Sequence, residues 1–236
     1  MRICRIHFPA GMTRWVEYHD MTLKHVQTGW VVTLLLLGSL VTAAPQGPEE
    51  VVRAATDRIF SALESECRSR GQVSAERWYQ VVEDVLLPYA DVNRMSRWVM
   101  GKYWREADAG QRQVFNEEFQ KLLVRTYATA IRSVKPDQIS YLPARSAPED
   151  TRAVVRTEVQ VPGAALSHIN YYLYLSGGRW LVYDVQVDGI SLVANYRSAL
   201  ASEFRDLGIQ GLLDKLKMKN REKSVEQQSS ASGAGC

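Results

Sequence analysis

Residues 179–197 read RWLVYDVQVDGISLVANYR, and this stretch sets the terms for the rest of the chain. It follows Gly177-Gly178, alternates apolar and polar residues from Trp180 to Val187, and turns at Asp188-Gly189. Ser191 then stands where it can cap a helix beginning at Leu192-Val193. A strand, a tight corner and a helix in so short a span need a sheet beside the strand and a helical layer over it.

The preceding residues supply the sheet. Ile169 to Leu175 alternates as well, and with Trp180–Val187 it makes a hairpin about the two glycines. A two-residue turn pairs Leu175 with Trp180, Leu173 with Val182 and Tyr171 with Asp184 on one face. The other face then pairs Tyr174 with Leu181, Tyr172 with Tyr183 and Asn170 with Val185. Both faces are largely apolar, so the sheet is covered on both sides or lines a cavity. The tyrosines fit a boundary between an apolar body and a polar rim, and equally an aromatic core under helices. Upstream, Ala153 to Val161 carries Val155, Thr157, Val159 and Val161 on one face, and Pro162-Gly163 ends it. Ile139 to Leu142 forms a short strand closed by Pro143, and 144–150 is a polar loop.

Before Gln138 the period is helical. Glu50 to Arg70 sets Val51, Ala55, Ile59, Ala62, Leu63 and Cys67 on one side, with Gly71 as a stop. Ser74 caps a second helix whose stripe is Trp78, Val81, Val82, Val85 and Leu86, broken by Pro88. Asp91 caps a third that ends at Gly101. Asp108 with Gln111 makes a capping box for a fourth, running to about Val134. Its apolar stripe, from Val114 through Phe119, Leu123 and Tyr127 to Val134, is too wide for one neighbour. Downstream, the helix from Leu192 passes through Leu200 and Phe204 to stop near Gly208. A short helix from Leu212 to about Lys219 follows, and residues 220–236, rich in Ser, Gln, Gly and Ala, read as a disordered tail. The cations Lys215, Lys217, Lys219, Arg221 and Lys223 complement the dipole at that helix end, and could also meet anionic headgroups.

The N-terminus reads as an export signal over residues 1–43, with Met21 an alternative start. Lys24 and His25 precede an apolar run from Trp30 to Leu37 that resumes at Leu40-Val41. Thr42, Ala43 and Ala44 supply a peptidase site, with cleavage after Ala43. The run falls well short of the ~20 apolar residues a membrane span requires. Without residues 1–43 the chain carries 25 basic and 24 acidic residues, a balance that points to no nucleic acid or other polyanion as partner. The exported part keeps Cys67 and Cys236, read here as a buried thiol and a tail cysteine, although an oxidising compartment would permit a disulfide. No ligand spacing suggests a metal or cofactor, and the one remaining histidine, His168, flanks a strand. There is no nucleophile elbow and no glycine-rich phosphate loop. Asp184 could serve as a general base, but a strand aspartate more often accepts hydrogen bonds from nearby hydroxyls or turn amides.

Three separated blocks, GRWLVYDVQVDGISLVANYR, LLPYADVNRMSRWVMGKYWREA and QRQVFNEEFQKLLVRTYATAI, resemble the MlaC family of periplasmic phospholipid-binding proteins, also called toluene-tolerance proteins. The resemblance covers roughly residues 50–218. It implies an α+β fold: an antiparallel sheet of about four strands in a nuclear-transport-factor-like cone, packed with a helical subdomain. The domain spans 44–219, with a helical part at 49–134 and a sheet-plus-helix part at 138–219.

The resemblance further implies a soluble periplasmic carrier and not an enzyme. Its cargo is a phospholipid, and its partners are an outer-membrane lipoprotein complex and an inner-membrane ABC transporter complex with its substrate-binding subunit, with transient membrane contact. Such a carrier serves outer-membrane lipid asymmetry and organic-solvent tolerance. The expected lipid-lining residues are Leu123, Tyr127 and Ile131 on the long helix, with Val155, Val159, Tyr172, Tyr174, Tyr183 and Val185 on the sheet. Two other readings stay open. One is a small enzyme on the same scaffold, using Asp184 with Tyr172 or Tyr183. The other is a lipid-free adaptor between envelope complexes.

Overall fold

Helices come first and strands second, as the switch in hydrophobic period predicts. The structure, a computed structural model, describes residues 47–143 and 149–230, with side chains described as far as Glu222. The expected export segment at 1–43, most of the 144–150 loop and Cys236 lie outside the described residues. Helices α1 (Pro48–Arg70), α2 (Ala75–Leu86), α3 (Val92–Met100), α4 (Tyr103–Glu106) and α5 (Ala109–Arg132) precede strands β1 (Ile139–Tyr141), β2 (Arg152–Val159), β3 (Ser167–Ser176), β4 (Arg179–Val187) and β5 (Ile190–Ser191). Helix α6 (Leu192–Ser230) ends the described chain.

The local signals explain most boundaries. Ser74 Oγ accepts from the Arg77 amide, Asp91 Oδ1 from Arg94, and Asp108 Oδ1 from Gln111, each at the start of its helix. The Asp108 amide in turn donates to Gln111 Oε1, completing the capping box. The five strands form one antiparallel sheet in sequence order, one strand more than expected. The extra strand is the two-residue β5, which pairs with Gln186 and Val187 directly after the Asp188-Gly189 turn.

Three buried clusters hold the layers together. Phe115, Phe119 and Leu122 of α5 pack with Met95, Val99 and Met100 of α3 and with Val193, Leu200, Phe204, Leu212, Leu213 and Leu216 of α6. On another side of α5, Val124 and Ala128 meet Ile59 of α1 and Trp78, Val81 and Val82 of α2. There the Trp78 indole donates to the Ala128 carbonyl at 2.8 Å. Val51 and Val52 of α1 cover Ala153, Val155, Leu173 and Trp180 of the sheet.

Two expectations are corrected. Gly208 breaks α6 with φ 66° and ψ −176°, a conformation open essentially to glycine alone. The helix then resumes and runs to Ser230, so residues 220–230 are helical and not a disordered tail. The anchor is Asn220, which is buried and donates from Nδ2 to the Glu118 carbonyl at 2.9 Å and to Glu118 Oε2 at 2.8 Å. Arg125 in turn donates to the Asn220 carbonyl. Cys67 is disulfide-bonded and not a free thiol, its partner lying outside the described residues. It is only half-buried, near the end of α1.

Candidate functional site

Paired residues on neighbouring antiparallel strands share a face. On β2, β3 and β4 the rows Ala153–Leu173–Val182, Val155–Tyr171–Val185 and Thr157–Ile169–Val187 therefore form one face. The rows Arg152–Tyr174–Leu181, Val154–Tyr172–Asp184 and Arg156–Asn170–Gln186 form the other. The hairpin register holds from Leu175–Trp180 to Leu173–Val182, then shifts at Tyr172/Leu173, where Tyr183 is the extra residue of a bulge. Val185 thus joins Tyr171 on the covered face, and Asp184 moves beside Tyr172 on the other. A regular hairpin gives the opposite assignment for both.

The covered face is closed only in part. Ala153, Val155 and Leu173 are buried beneath α1, but Ile169, Tyr171, Val185 and Val187 are half-buried. Burial pushes the Tyr171 hydroxyl up to about 12, against the opposing pull of its hydrogen bond with Thr157. Tyr171 is thus strongly desolvated although the residue keeps some accessible surface.

Helix α5 shows the same feature. Its Phe119 and Leu122 belong to one buried cluster, and Val124 and Ala128 to another. At 100° per residue, Leu123, Tyr127 and Ile131 fall on the arc between those two sides. All three are half-buried, Leu123 against the first cluster and Ile131 against the second. The Tyr127 hydroxyl is pushed up to about 12, chiefly by burial and further by Tyr196 of α6, with which it is hydrogen-bonded. Tyr196 also meets Phe119 edge-on at 5.3 Å between ring centres.

Of the residues expected on lipid-lining grounds, Val155, Val159 and Val185 share the covered face, and Leu123, Tyr127 and Ile131 form one row on α5. Tyr172, Tyr174 and Tyr183 lie apart from both sets. They occupy the opposite face in an aromatic cluster with Trp98 and Arg94 of α3. Trp98 meets Tyr183 at 5.1 Å, and Tyr172 and Tyr174 lie 6.4 and 5.9 Å from Tyr183. The Arg94 guanidinium sits 4.0 Å over the Tyr174 ring, and the Tyr174 hydroxyl donates to Asp91. Ile169, Tyr171, Val187 and Tyr196 were not singled out. The alternation of β3 put Tyr171 on a face with Leu173, but only the bulge assembles the row Val155–Tyr171–Val185.

Asp184 is a brace. Its carboxylate accepts the Val185 and Val193 amides at 2.9 and 3.2 Å and the Ser191 hydroxyl at 2.6 Å. Ser191 Oγ also accepts the Ala194 amide at 3.0 Å, so the pair fixes the corner from β4 into α6. Tyr172 donates to Gln186 Oε1 instead of to Asp184. Among the described residues no cluster of three or more His, Cys, Asp or Glu side chains could hold a metal. No described helix is long and apolar enough to cross a membrane.

An open antiparallel sheet with one face partly covered by helices defines an α+β protein. The MlaC protein family model matches residues 53–218, and the chain belongs to that family. It is 28% identical over 179 residues to the toluene tolerance protein ttg2D of Pseudomonas putida, covering 75% of this chain and 82% of that protein. It is 23% identical over 192 residues to the intermembrane phospholipid transport system binding protein MlaC of Haemophilus influenzae, covering 79% and 89%. A solved structure of a phospholipid-binding protein from Ralstonia solanacearum, in complex with a phospholipid, superposes with a TM-score of 0.69 at 29% identity. That match covers 76% of this chain and 99% of the other.

Proposed function

We propose that this protein is an exported, periplasmic carrier that holds a phospholipid by its acyl chains between α5 and the covered face of the sheet. It passes the lipid between an outer-membrane lipoprotein complex and an inner-membrane ABC transporter complex with its substrate-binding subunit, touching membranes only transiently. The carrying observation is the pair Tyr127 and Tyr171, one on each wall. Both hydroxyls are pushed up to about 12, chiefly by burial, and both residues are only half-buried. Membership of the MlaC family and the phospholipid held by the Ralstonia protein support the same reading.

The energetics set the form of the site. Each buried methylene contributes about 0.8 kcal/mol, so two chains of about 14 methylenes amount to on the order of 20 kcal/mol. Leaving one chain wet would forfeit about half of that, so both chains must be covered while the headgroup can stay outside. Membrane and pocket stabilise the chains to a similar extent. The net transfer energy is therefore small, and direction comes from the partner complexes.

The test is mass spectrometry of organic extracts from the purified protein, with Val185→Arg and Tyr183→Ala compared. Val185 and Tyr183 sit two residues apart on opposite faces. Val185→Arg should abolish phospholipid co-purification while the protein stays folded, and Tyr183→Ala should leave it unchanged. Val155→Arg is unsuitable, because Val155 is 3% exposed beneath α1 and a charge there would disrupt the core. Absence of lipid from the unaltered protein would shift the reading to an adaptor. Equal lipid in Val185→Arg would remove the covered face from the site.

A further inference from the structure

We infer a second, separate binding site on this protein, for a phosphate-type oxyanion carried on a small apolar body. It is a cleft of about 280 Å³, lined by Val51, Arg58, Pro88, Tyr89, Gly178, Arg179 and Trp180. It contains none of Leu123, Tyr127, Ile131, Val155, Tyr171 and Val185, and although Trp180 lies on the same sheet face, the two arginines can be tested apart from the carrier reading.

The two arginines are the reason. On α1 the other arginines have carboxylates one turn back: Arg53 pairs with Glu49, Arg68 with Glu64 and Arg70 with Glu66. Arg58 has Ala54 and Ala62 at the same offsets. The Arg58 guanidinium lies 5.8 Å from the Tyr89 ring centre. Arg179 donates from Nη2 to the Pro88 carbonyl at 3.0 Å, a bond that fixes the side chain across the cleft without neutralising it. Two cations therefore border one cleft that, among the described residues, no carboxylate lines.

The floor narrows the ligand. Val51 and Trp180 are buried, and with Pro88 and the Tyr89 ring they offer apolar and aromatic surface to the body that carries the anion. Guanidinium groups bind phosphate and carboxylate oxygens through paired, charge-assisted hydrogen bonds. Two of them match the charge of roughly −1.5 to −2 on a phosphate monoester near neutral pH, whereas a lone carboxylate leaves one cation uncompensated. The monoester can belong to a soluble organophosphate or to the headgroup of phosphatidic acid at a membrane surface.

Phenyl phosphate is the direct probe, titrated while the indole N–H resonance of Trp180 is followed and assigned by its loss in Trp180→Phe. A saturable shift is expected, with affinity at least roughly tenfold weaker for benzoate and for either Arg58→Ala or Arg179→Ala. The Arg58→Glu/Arg179→Glu variant should not bind. Both side chains are exposed, so its thermal unfolding and its co-purified lipid should be unchanged. Sedimentation with phosphatidylcholine vesicles doped with phosphatidic acid separates the sources. Binding lost in the double variant identifies the headgroup, and a response to phenyl phosphate alone identifies a soluble ligand. The proposal is overturned if neither probe binds, if binding survives the double variant, or if benzoate binds as tightly as phenyl phosphate.

Discussion

Replacing Asp184 with alanine tests whether this carboxylate is a brace or a chemical group. Alanine removes the acceptor for the Val185 amide, the Val193 amide and the Ser191 hydroxyl at once. Hydrogen bonds to a charged acceptor are worth about 1.5–3 kcal/mol each. The residue is half-buried and opens on a cleft shared with Trp98, Ser191 and Arg197, so water replaces part of what is lost. The expected net cost is about 2–4 kcal/mol. Asparagine should cost only about 1 kcal/mol. Both amides bond the same oxygen, Oδ1, which asparagine retains, and its amide nitrogen can donate to Ser191 Oγ. Urea unfolding gives the answer as a fall in midpoint at constant slope, with Asp184→Ala well below Asp184→Asn. A cost under about 0.5 kcal/mol for alanine, the range of an ordinary surface substitution, would refute the brace.

Two further outcomes follow from other buried polar groups. Below pH 10 Tyr171 keeps its proton in both folded and unfolded chains. Between 10 and about 12 only the unfolded chain releases it. Stability should therefore fall over that window, by on the order of 2–3 kcal/mol from Tyr171, and Tyr171→Phe should flatten the fall in a denaturant series against pH. At the other end, Asn220→Ala should cost about 2 kcal/mol by removing both bonds to Glu118. Burial raises the Glu118 carboxyl, but the bonds from Asn220 and Lys121 outweigh it and hold the group below its ordinary value. Its stabilisation is thus present above the unfolded value and lost as pH falls through the folded one. Unfolding near pH 3–4 should show a smaller acid loss in Asn220→Ala than in the unaltered protein.

Much of the fold is local chemistry and was legible. Ser74, Asp91, Asp108 and Ser191 each cap a helix because a short side-chain oxygen satisfies amides that the first turn leaves free. Period two against period 3.6 separates sheet from helices, and the glycines at 177–178 make the hairpin. The wide stripe of α5 correctly required more than one neighbour. The site was legible only in pieces. Leu123, Tyr127 and Ile131 could be placed on one helix face, but not shown to fall between two cores, because that depends on where α2 and α6 pack.

The sequence by itself determined the order of elements, the caps, the turns and the MlaC resemblance, because each rests on neighbours within a few residues or on blocks of residue identity. Tertiary structure alone decided which sheet face meets the interior. One extra residue at Tyr183 reverses every side chain beyond it along β4, sending Val185 inward and Asp184 to the α6 corner. It also decided that the helix continues past Lys219, since the buried partner of Asn220 lies about a hundred residues earlier on α5, and that Arg58 and Arg179 border one cleft. Such contacts depend on distant segments meeting, and no local pattern records them.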